Sequence, residues 1–403
     1  MESGTNNYRL KVVWLCHFAN QEMKDFFHTP HVTEMAPWIN NLIELFQDRT
    51  DIDLHIVAPN IFTNKQREFK IKNVQYHFYQ HRPSFIRKKL YRIFRIETIT
   101  NFYYIKRKIT RIIDSINPSL IHLHGAENPY YSVGILPLID QFPSFVTIQG
   151  FVRNNSARDF ITNRRIKIEE EILKRMKHIG VCTKEMSKAT LELNPEAHLH
   201  FHDYPYTLPV YLKDNSIVST YDIVFFAKVS KDKGIEDLLE ALAIVKKIKP
   251  DVSLQVIGNS NKSYLKFLKN KLKQLDIESN VKFLGFIETQ HELYKQVLHA
   301  KICVLPTYHD IIPGTIVESM FMKLPVIAYA VGGIPELNDK GKAIVLVEKN
   351  NIQQLSNEIA ALLKNESKRN SLAEFAYTYA RERFNNSYAV NEILKAYNEI
   401  LSI

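Results

Sequence analysis

The chain has 403 residues, 45% of them hydrophobic and 24% charged, and a formal net charge of +10. That length supports two domains of ordinary size, each burying its own core, and the composition excludes a disordered or fibrous chain. The excess of positive charge calls for an anionic partner without choosing among nucleic acid, a phosphate-bearing substrate and a membrane surface. No run of about 18 apolar residues occurs, so no transmembrane helix is expected. The start, MESGTNNYRLKVVWL, has no basic segment ahead of its apolar run and no cleavage signature, and predicts no secretion signal. Cys16, Cys182 and Cys303 are widely spaced beside apolar stretches. They read as reduced core thiols of a cytoplasmic protein, not as a disulfide framework or a metal site.

In chain order, the first strand runs from Leu10 to Cys16 and is apolar after Lys11, as expected of a buried parallel strand. Its loop, His17-Phe18-Ala19-Asn20-Gln21, contains no glycine. A helix is predicted from about Val32 to Phe46, then strands Leu54 to Ala58 and Val74 to Phe78. From Arg82 to Arg111, ten Lys or Arg accompany a single acid, Glu97, with Phe85, Tyr91, Phe94, Phe102, Tyr103 and Tyr104 interleaved. One reading is a basic amphipathic helix on anionic lipid, with Arg87, Lys88, Lys89 and Arg92 at the membrane. The other is a solvated helix face whose aromatics lie in the core. A nucleic-acid partner is not expected, because no helix-turn-helix, zinc-finger or RNP pattern accompanies the charge.

The next strand ends Leu120-Ile121-His122-Leu123-His124-Gly125. Period-two alternation puts His122 and His124 on one face, with His124 where the strand gives way to the loop. No third ligand is near in sequence, so a metal site is not expected; a lone histidine here is otherwise structural. A strand from Phe145 to Ile148 ends in Gln149-Gly150. A helix from Arg164 to Met176, a strand from Ile179 to Cys182 and a helix from Lys184 complete a first domain over 1–207. Pro205 and Pro209 break regular structure in the stretch Asp203 to Ser219, and 208–220 is read as the linker.

The second domain, over 221–384, opens with the strand Ile223-Val224-Phe225-Phe226 and the loop Ala227-Lys228-Val229-Ser230-Lys231-Asp232-Lys233-Gly234. A helix follows with apolar residues at Ile235, Leu238, Leu239, Leu242, Val245 and Ile248, acids first and lysines last, ended by Pro250. Strand, short basic loop and helix N-terminus make a phosphate cradle; the bland reading is a set of exposed surface lysines. Further units alternate strand and helix, which implies a parallel sheet. They are Leu254 to Ile257 with Lys262 to Leu275, and Val281 to Leu284 with Gln290 to His299. Gly258 falls at a strand-to-helix turn where a nucleotide base would pack.

The most informative stretch is VLPTYHDIIPGTIVESMFMKLPVIAYAVGGIPE, Val304 to Glu336. It reads as strand, polar loop, helix, strand and glycine turn. Asp310 is placed on the loop and Glu318 just inside the helix, both facing a ligand at the helix N-terminus near Gly314 and Thr315. A last strand, Ile344 to Val347, a helix from Ile352 to Leu363, and a final helix from Ser387 to Ile403 follow.

Asp310 and Glu318 with seven residues between them, Ser319-Met320, Leu324-Pro325-Val326-Ile327-Ala328 and Gly332-Gly333-Ile334-Pro335-Glu336 resemble the signature of the family 4 retaining glycosyltransferases. The resemblance covers the second domain well and the first loosely, around His124. It implies the α/β GT-B architecture: two Rossmann-like, doubly wound parallel-sheet domains facing across a cleft, the first binding the acceptor and the second a nucleotide sugar. It also implies that the helix over 385–403 crosses back onto the first domain. Lys233 and Gly234 match the family's diphosphate-binding stretch, with Lys228 standing where the family has Arg and Ala227 where it has Gly. Asp310 replaces the family's first Glu and is one methylene shorter. Gln149 stands where the family often has His.

By this resemblance the protein is a retaining, metal-independent glycosyltransferase that needs no cofactor and transfers a sugar from a nucleotide-diphosphate donor. The acceptor is a glycan or a lipid-linked glycan, in cell-surface polysaccharide or lipopolysaccharide synthesis. The basic aromatic segment, read as lipid-binding, points to a lipid-linked acceptor at the inner membrane face of a bacterium, and its other reading leaves the protein simply cytoplasmic. Asp310, His124 and Lys233 are the implied catalytic residues. Lys228, Lys233, Gly258, Gly314, Thr315 and Glu318 are the implied donor contacts, and His17 and Gln149 face the acceptor. The departures at Asp310, Lys228 and Gln149 keep a second reading open, a non-catalytic GT-B scaffold that binds nucleotide sugar or lipid.

Overall fold

The computed structural model describes residues 9–82, 96–154, 159–206 and 218–402. The chain forms two compact units, one comprising Met1–Tyr206 and Asn386–Ile403, the other Thr207–Asn385.

The first unit is built on eight strands: β1 (Leu10–Leu15), β2 (Ile52–Pro59), β3 (Arg67–Ile71), β4 (Val74–Tyr79), β5 (Leu120–His124), β6 (Ser144–Thr147), β7 (His178–Val181) and β8 (His198–Phe201). Their order across the sheet is β3-β4-β2-β1-β5-β6-β7-β8. All neighbours are parallel except β3, which runs antiparallel to β4 at one edge. β3 and β8 go beyond the strands expected from sequence. β3 exposes Arg67, Glu68 and Lys70, charges that protect a free edge from pairing with another chain. Helices α1 (Gln21–Phe26), α2 (Pro37–Phe46), α3 (Ile96–Ile99), α4 (Tyr103–Ile116), α5 (Pro129–Ser132), α6 (Phe160–Arg175) and α7 (Lys184–Leu193) connect these strands. The helix expected from Val32 begins five residues later. Ala36 takes a left-handed N-cap conformation and Pro37 starts the first turn, where its missing N–H costs nothing.

The sheet order reverses between β1 and β5. One half of the strands is laid down to one side of β1 and the other half beyond β5, which creates a crevice at their carboxyl ends. The core beneath it is aromatic and histidine-rich. Trp14 Nε1 donates to the Tyr397 hydroxyl (2.9 Å), which bonds His122 Nδ1 (2.7 Å). His122 Nε2 bonds Thr147 Oγ1 (2.7 Å), and that oxygen bonds His202 Nε2 (3.0 Å). Each hydroxyl has one proton to give, so the tautomers of His122 and His202 set the direction of this chain. Tyr397 comes from the helix Asn386–Leu401, so the end of the chain is sewn into the core of the first unit.

The second unit has six parallel strands: β9 (Tyr221–Phe226), β10 (Leu254–Ile257), β11 (Val281–Gly285), β12 (Ala300–Leu305), β13 (Val326–Tyr329) and β14 (Val345–Val347), in the order β11-β10-β9-β12-β13-β14. Six helices cover it: α8 (Ile235–Lys246), α9 (Lys262–Gln274), α10 (Gln290–Leu298), α11 (Gly314–Phe321), α12 (Ile352–Lys364) and α13 (Glu366–Arg383). The helix over Asn386–Leu401 is α14. α8 ends at Lys246, four residues before Pro250, and buries Ile235, Leu238, Leu239, Leu242 and Val245 on one face. Here the order reverses between β9 and β12. Among the described residues, no helix is long and apolar enough to cross a membrane. Cys16 and Cys303 are buried free thiols.

Candidate functional site

The loops that leave β9 and β12 lie on either side of the reversal in the second unit, and they carry most of the residues singled out from sequence. Lys233 ends a short 3-10 turn, Lys231–Lys233, ahead of α8. Its ammonium forms an ion pair with Asp310, 77 residues away on the β12 loop. Both side chains are largely shielded, with 27% and 21% exposure, so the pair is screened less than a surface one. Thr307 Oγ1 lies 3.1 Å from Asp310 Oδ2 and 3.2 Å from the Asp232 carbonyl. The Tyr308 amide donates to that same carbonyl (2.9 Å).

Two further features lock the loops together. Gly234 has φ +74°, and a Cβ there would overlap the Pro306 carbonyl oxygen. Only glycine permits both the left-handed turn and this approach. Asp237, in the first turn of α8, accepts hydrogen bonds from Tyr308 and Tyr329, each at 2.6 Å. Sequence reasoning passed over Thr307, Tyr308 and Asp237. The available signal was their position, flanking Asp310 and one turn beyond Gly234.

Lys228 is exposed in the loop after β9 and makes no ion pair among the described residues. α11 begins at Gly314 with Pro313 as N-cap and no side-chain cap, so the helix tip presents backbone N–H groups. The Thr315 hydroxyl is already engaged with the Phe226 carbonyl (2.9 Å), which ties the helix tip to the end of β9. Thr315 therefore offers its amide rather than its side chain. Glu318 sits one turn on, half-buried, with Gln290 Nε2 3.4 Å from its Oε1 and Tyr294 beside it. Burial pushes its carboxyl up to about 7. Gln290 and Tyr294, four residues apart on one face of α10, went unnoticed in sequence because nothing there links α10 to α11.

Gly258 has φ +146°, and a Cβ would overlap the Ala227 carbonyl oxygen. Its glycine is accounted for by the close approach of two backbone segments, without invoking a base.

In the first unit, His17 follows β1 half-buried, its ring stacked on Tyr131 with centroids 6.2 Å apart, and burial lowers its pKa. Gln149, after β6, donates to the Tyr204 hydroxyl (3.4 Å). His124 departs from expectation. It shares a face with His122, the rings 3.7 Å apart, but that face is the core: the His124 side chain has no exposure and packs on Trp14. Strand periodicity sets which residues share a face, not which face is wet. The imidazole expected to touch a sugar is enclosed here, and neither ring nitrogen has a partner among the described residues. Burial holds it neutral, well below its usual pKa. Arg87, Lys88, Lys89 and Arg92 lie outside the described residues. Among the described residues, no group of three or more His, Cys, Asp or Glu is placed to hold a metal ion.

The second unit thus joins cations, a bare helix tip and two carboxylates at a sheet reversal, an arrangement suited to a phosphate-bearing ligand. Residues 211–379 match the family model for glycosyl transferases, group 1. A D-inositol 3-phosphate glycosyltransferase of Corynebacterium aurimucosum is 27% identical over 185 residues, covering 45% of this chain and 44% of the relative. The match therefore spans less than half of that curated relative. Sucrose-phosphate synthase from Thermosynechococcus elongatus superposes with a TM-score of 0.74 at 17% identity, covering 98% of this chain and all of that one. HepE of Anabaena, solved in complex with UDP-glucose, gives 0.71 at 16% identity over 98% of this chain and all of its own. These likenesses show the fold, two Rossmann-like α/β units of the GT-B class. Residues 211–379 are similar to the glycosyl transferases group 1 family.

Proposed function

We propose that the protein is a retaining glycosyltransferase that moves a sugar from a nucleotide-diphosphate donor to a glycan or lipid-linked acceptor, in cell-surface polysaccharide synthesis. The observation that carries this reading is the convergence of Lys233, Asp310 and the N-terminus of α11 on one crevice of the second unit. As the glycosidic bond to the donor breaks, negative charge builds on the departing diphosphate. Lys228, Lys233 and the amides of Gly314 and Thr315 stabilise that charge, the task a metal ion performs in other enzymes. Donor binding draws Lys233 from Asp310 onto the diphosphate, and the freed Asp310 carboxylate accepts a hydrogen bond from a hydroxyl of the transferred sugar. Glu318 accepts from the ribose hydroxyls, helped by Gln290. Metal and cofactor are not required by this arrangement.

HepE was solved with UDP-glucose, so a uridine diphosphate sugar is the first donor to try. Incubation with UDP-, GDP- and ADP-sugars, followed by NMR of the released sugar, tests the reading. Slow hydrolysis of one donor, with the configuration at the anomeric carbon kept, is expected. No turnover of any donor alongside tight nucleotide binding would instead favour a non-catalytic scaffold. The interfacial site at the basic segment belongs to the same proposal: the protein should float with anionic vesicles and stay behind with neutral ones.

A further inference from the structure

Helix α9 of the second unit carries five lysines and no acid: Lys262, Lys266, Lys269, Lys271 and Lys273. Lys271 is accounted for by ion pairs with Glu236 and Glu240 on α8. The other lysines are exposed and form no ion pair among the described residues. They follow one another at intervals of three and four residues. On a helix this puts them within an arc of about 60°, as one stripe about 16 Å long. Like charges at such spacings repel, so the stripe weakens the helix that carries it. Asn261, whose side chain accepts from the Tyr264 amide (2.7 Å), and the buried Leu268 and Leu272 hold α9 in spite of this. An anionic partner removes the repulsion.

The shape of the stripe says what kind of partner. It lies along the outer side of a helix, a convex feature with no wall to enclose a small anion. A cylinder touches a plane along one line, so a narrow row of cations on a ridge fits a flat anionic surface. Phe267 stands on the other flank of the solvent-facing side, 47% exposed, with the Tyr264 ring stacked on it (centroids 5.7 Å). Lysines beside an exposed ring suit the headgroup layer of a membrane, where the ammonium groups reach phosphates and the ring leaves water. Leu268 and Leu272 are turned into the unit, so α9 rests on such a surface, held by charge, and does not embed in it.

We propose that the lysine stripe of α9 docks the second unit on an anionic membrane surface, with Phe267 entering the headgroup layer. This contact is separate from the basic segment of the first unit and does not rest on the glycosyltransferase reading.

Flotation of the full chain with mixed phosphatidylglycerol and phosphatidylcholine vesicles tests it. Arg87, Lys88, Lys89 and Arg92 are first changed to Gln, so that the first unit's basic segment cannot mask the result. That protein should still float at low salt and be released at high salt. Changing Lys262, Lys266, Lys269 and Lys273 to Gln as well should lower its partitioning about 100-fold or more, since each cation near an anionic surface contributes about five-fold. Arg at the same positions should restore it. Phe267→Ala should reduce the binding that survives moderate salt. Glutamine has nearly the helix propensity of lysine, so the Gln variant should unfold at no lower a temperature than its parent. Flotation unchanged by the Gln substitutions, or absent before they are made, overturns the proposal. Binding to single-stranded RNA in place of vesicles overturns it too, and gives the stripe to nucleic acid.

Discussion

The two units reverse their sheets in the same way and furnish the resulting crevices with opposite chemistry. In the second unit the crevice is ionic: Lys228 exposed, Lys233 paired with Asp310, a bare helix tip between them. In the first it is aromatic, backed by a chain of hydrogen-bonded histidines and hydroxyls. The backbone topology positions both; the loop side chains decide which is which.

The largest expected effect falls on the ionic crevice. Lys233→Ala should lower donor turnover by about 100-fold or more, as loss of a transition-state donor does. Unchanged turnover in a folded variant would separate the ion pair from the chemistry.

Acid should act on the units in opposite directions. In the first unit burial lowers the pKa of His17, His55, His77, His122, His124, His178, His200 and His202. Their unfolded forms take up protons below about pH 6.5, so stability falls as pH drops toward the folded values. Glu97, Glu127 and Glu169 are raised to about 7 and oppose this, gaining stability as pH falls, but they are outnumbered. His202 is buried and held at about 4; alone it accounts for on the order of 3 kcal/mol across that window. In the second unit none of His291, His299 and His309 is buried, and burial raises the carboxyl of Glu318. Hydrogen exchange at pH 7 and pH 4.5 should show protection lost from β1, β5, β6 and β7 before β9 and β12. Equal loss from both units would contradict the contrast.

Smaller effects sharpen the loop geometry. Gly234→Ala imposes a left-handed conformation and a clash with the Pro306 carbonyl, and should cost about 1–3 kcal/mol in denaturant unfolding. Tyr308→Phe removes one hydrogen bond to Asp237, which keeps its bond from Tyr329. It should cost about 1 kcal/mol and raise the donor KM more than it lowers kcat.

The second unit was the more readable in sequence, and for a physical reason. Asp310, Gly314 and Glu318 lie on one loop and the helix it feeds, so their spacing along the chain is nearly their spacing in space. Lys233 and Asp310 were each singled out, but their pairing spans 77 residues and left no trace in spacing. Edge strands were harder: β3 is mostly exposed and β8 is four residues of alternating histidine, so neither has the apolar run that marked β1 or β12. α13 escaped because its buried residues include small alanines, Ala373, Ala376 and Ala380, which give little amphipathic contrast. His124 was placed on its strand and beside His122, but its full burial had no signal in strand periodicity.

Calorimetric titration of UDP, GDP and ADP into the wild type, Lys233→Ala and Glu318→Ala tests the ionic crevice most directly. One nucleoside diphosphate should bind the wild type, and each substitution should weaken it about ten-fold or more, because both residues touch the same molecule. Binding of none of the three, or binding that neither substitution disturbs, would contradict the placement of the donor in the second unit.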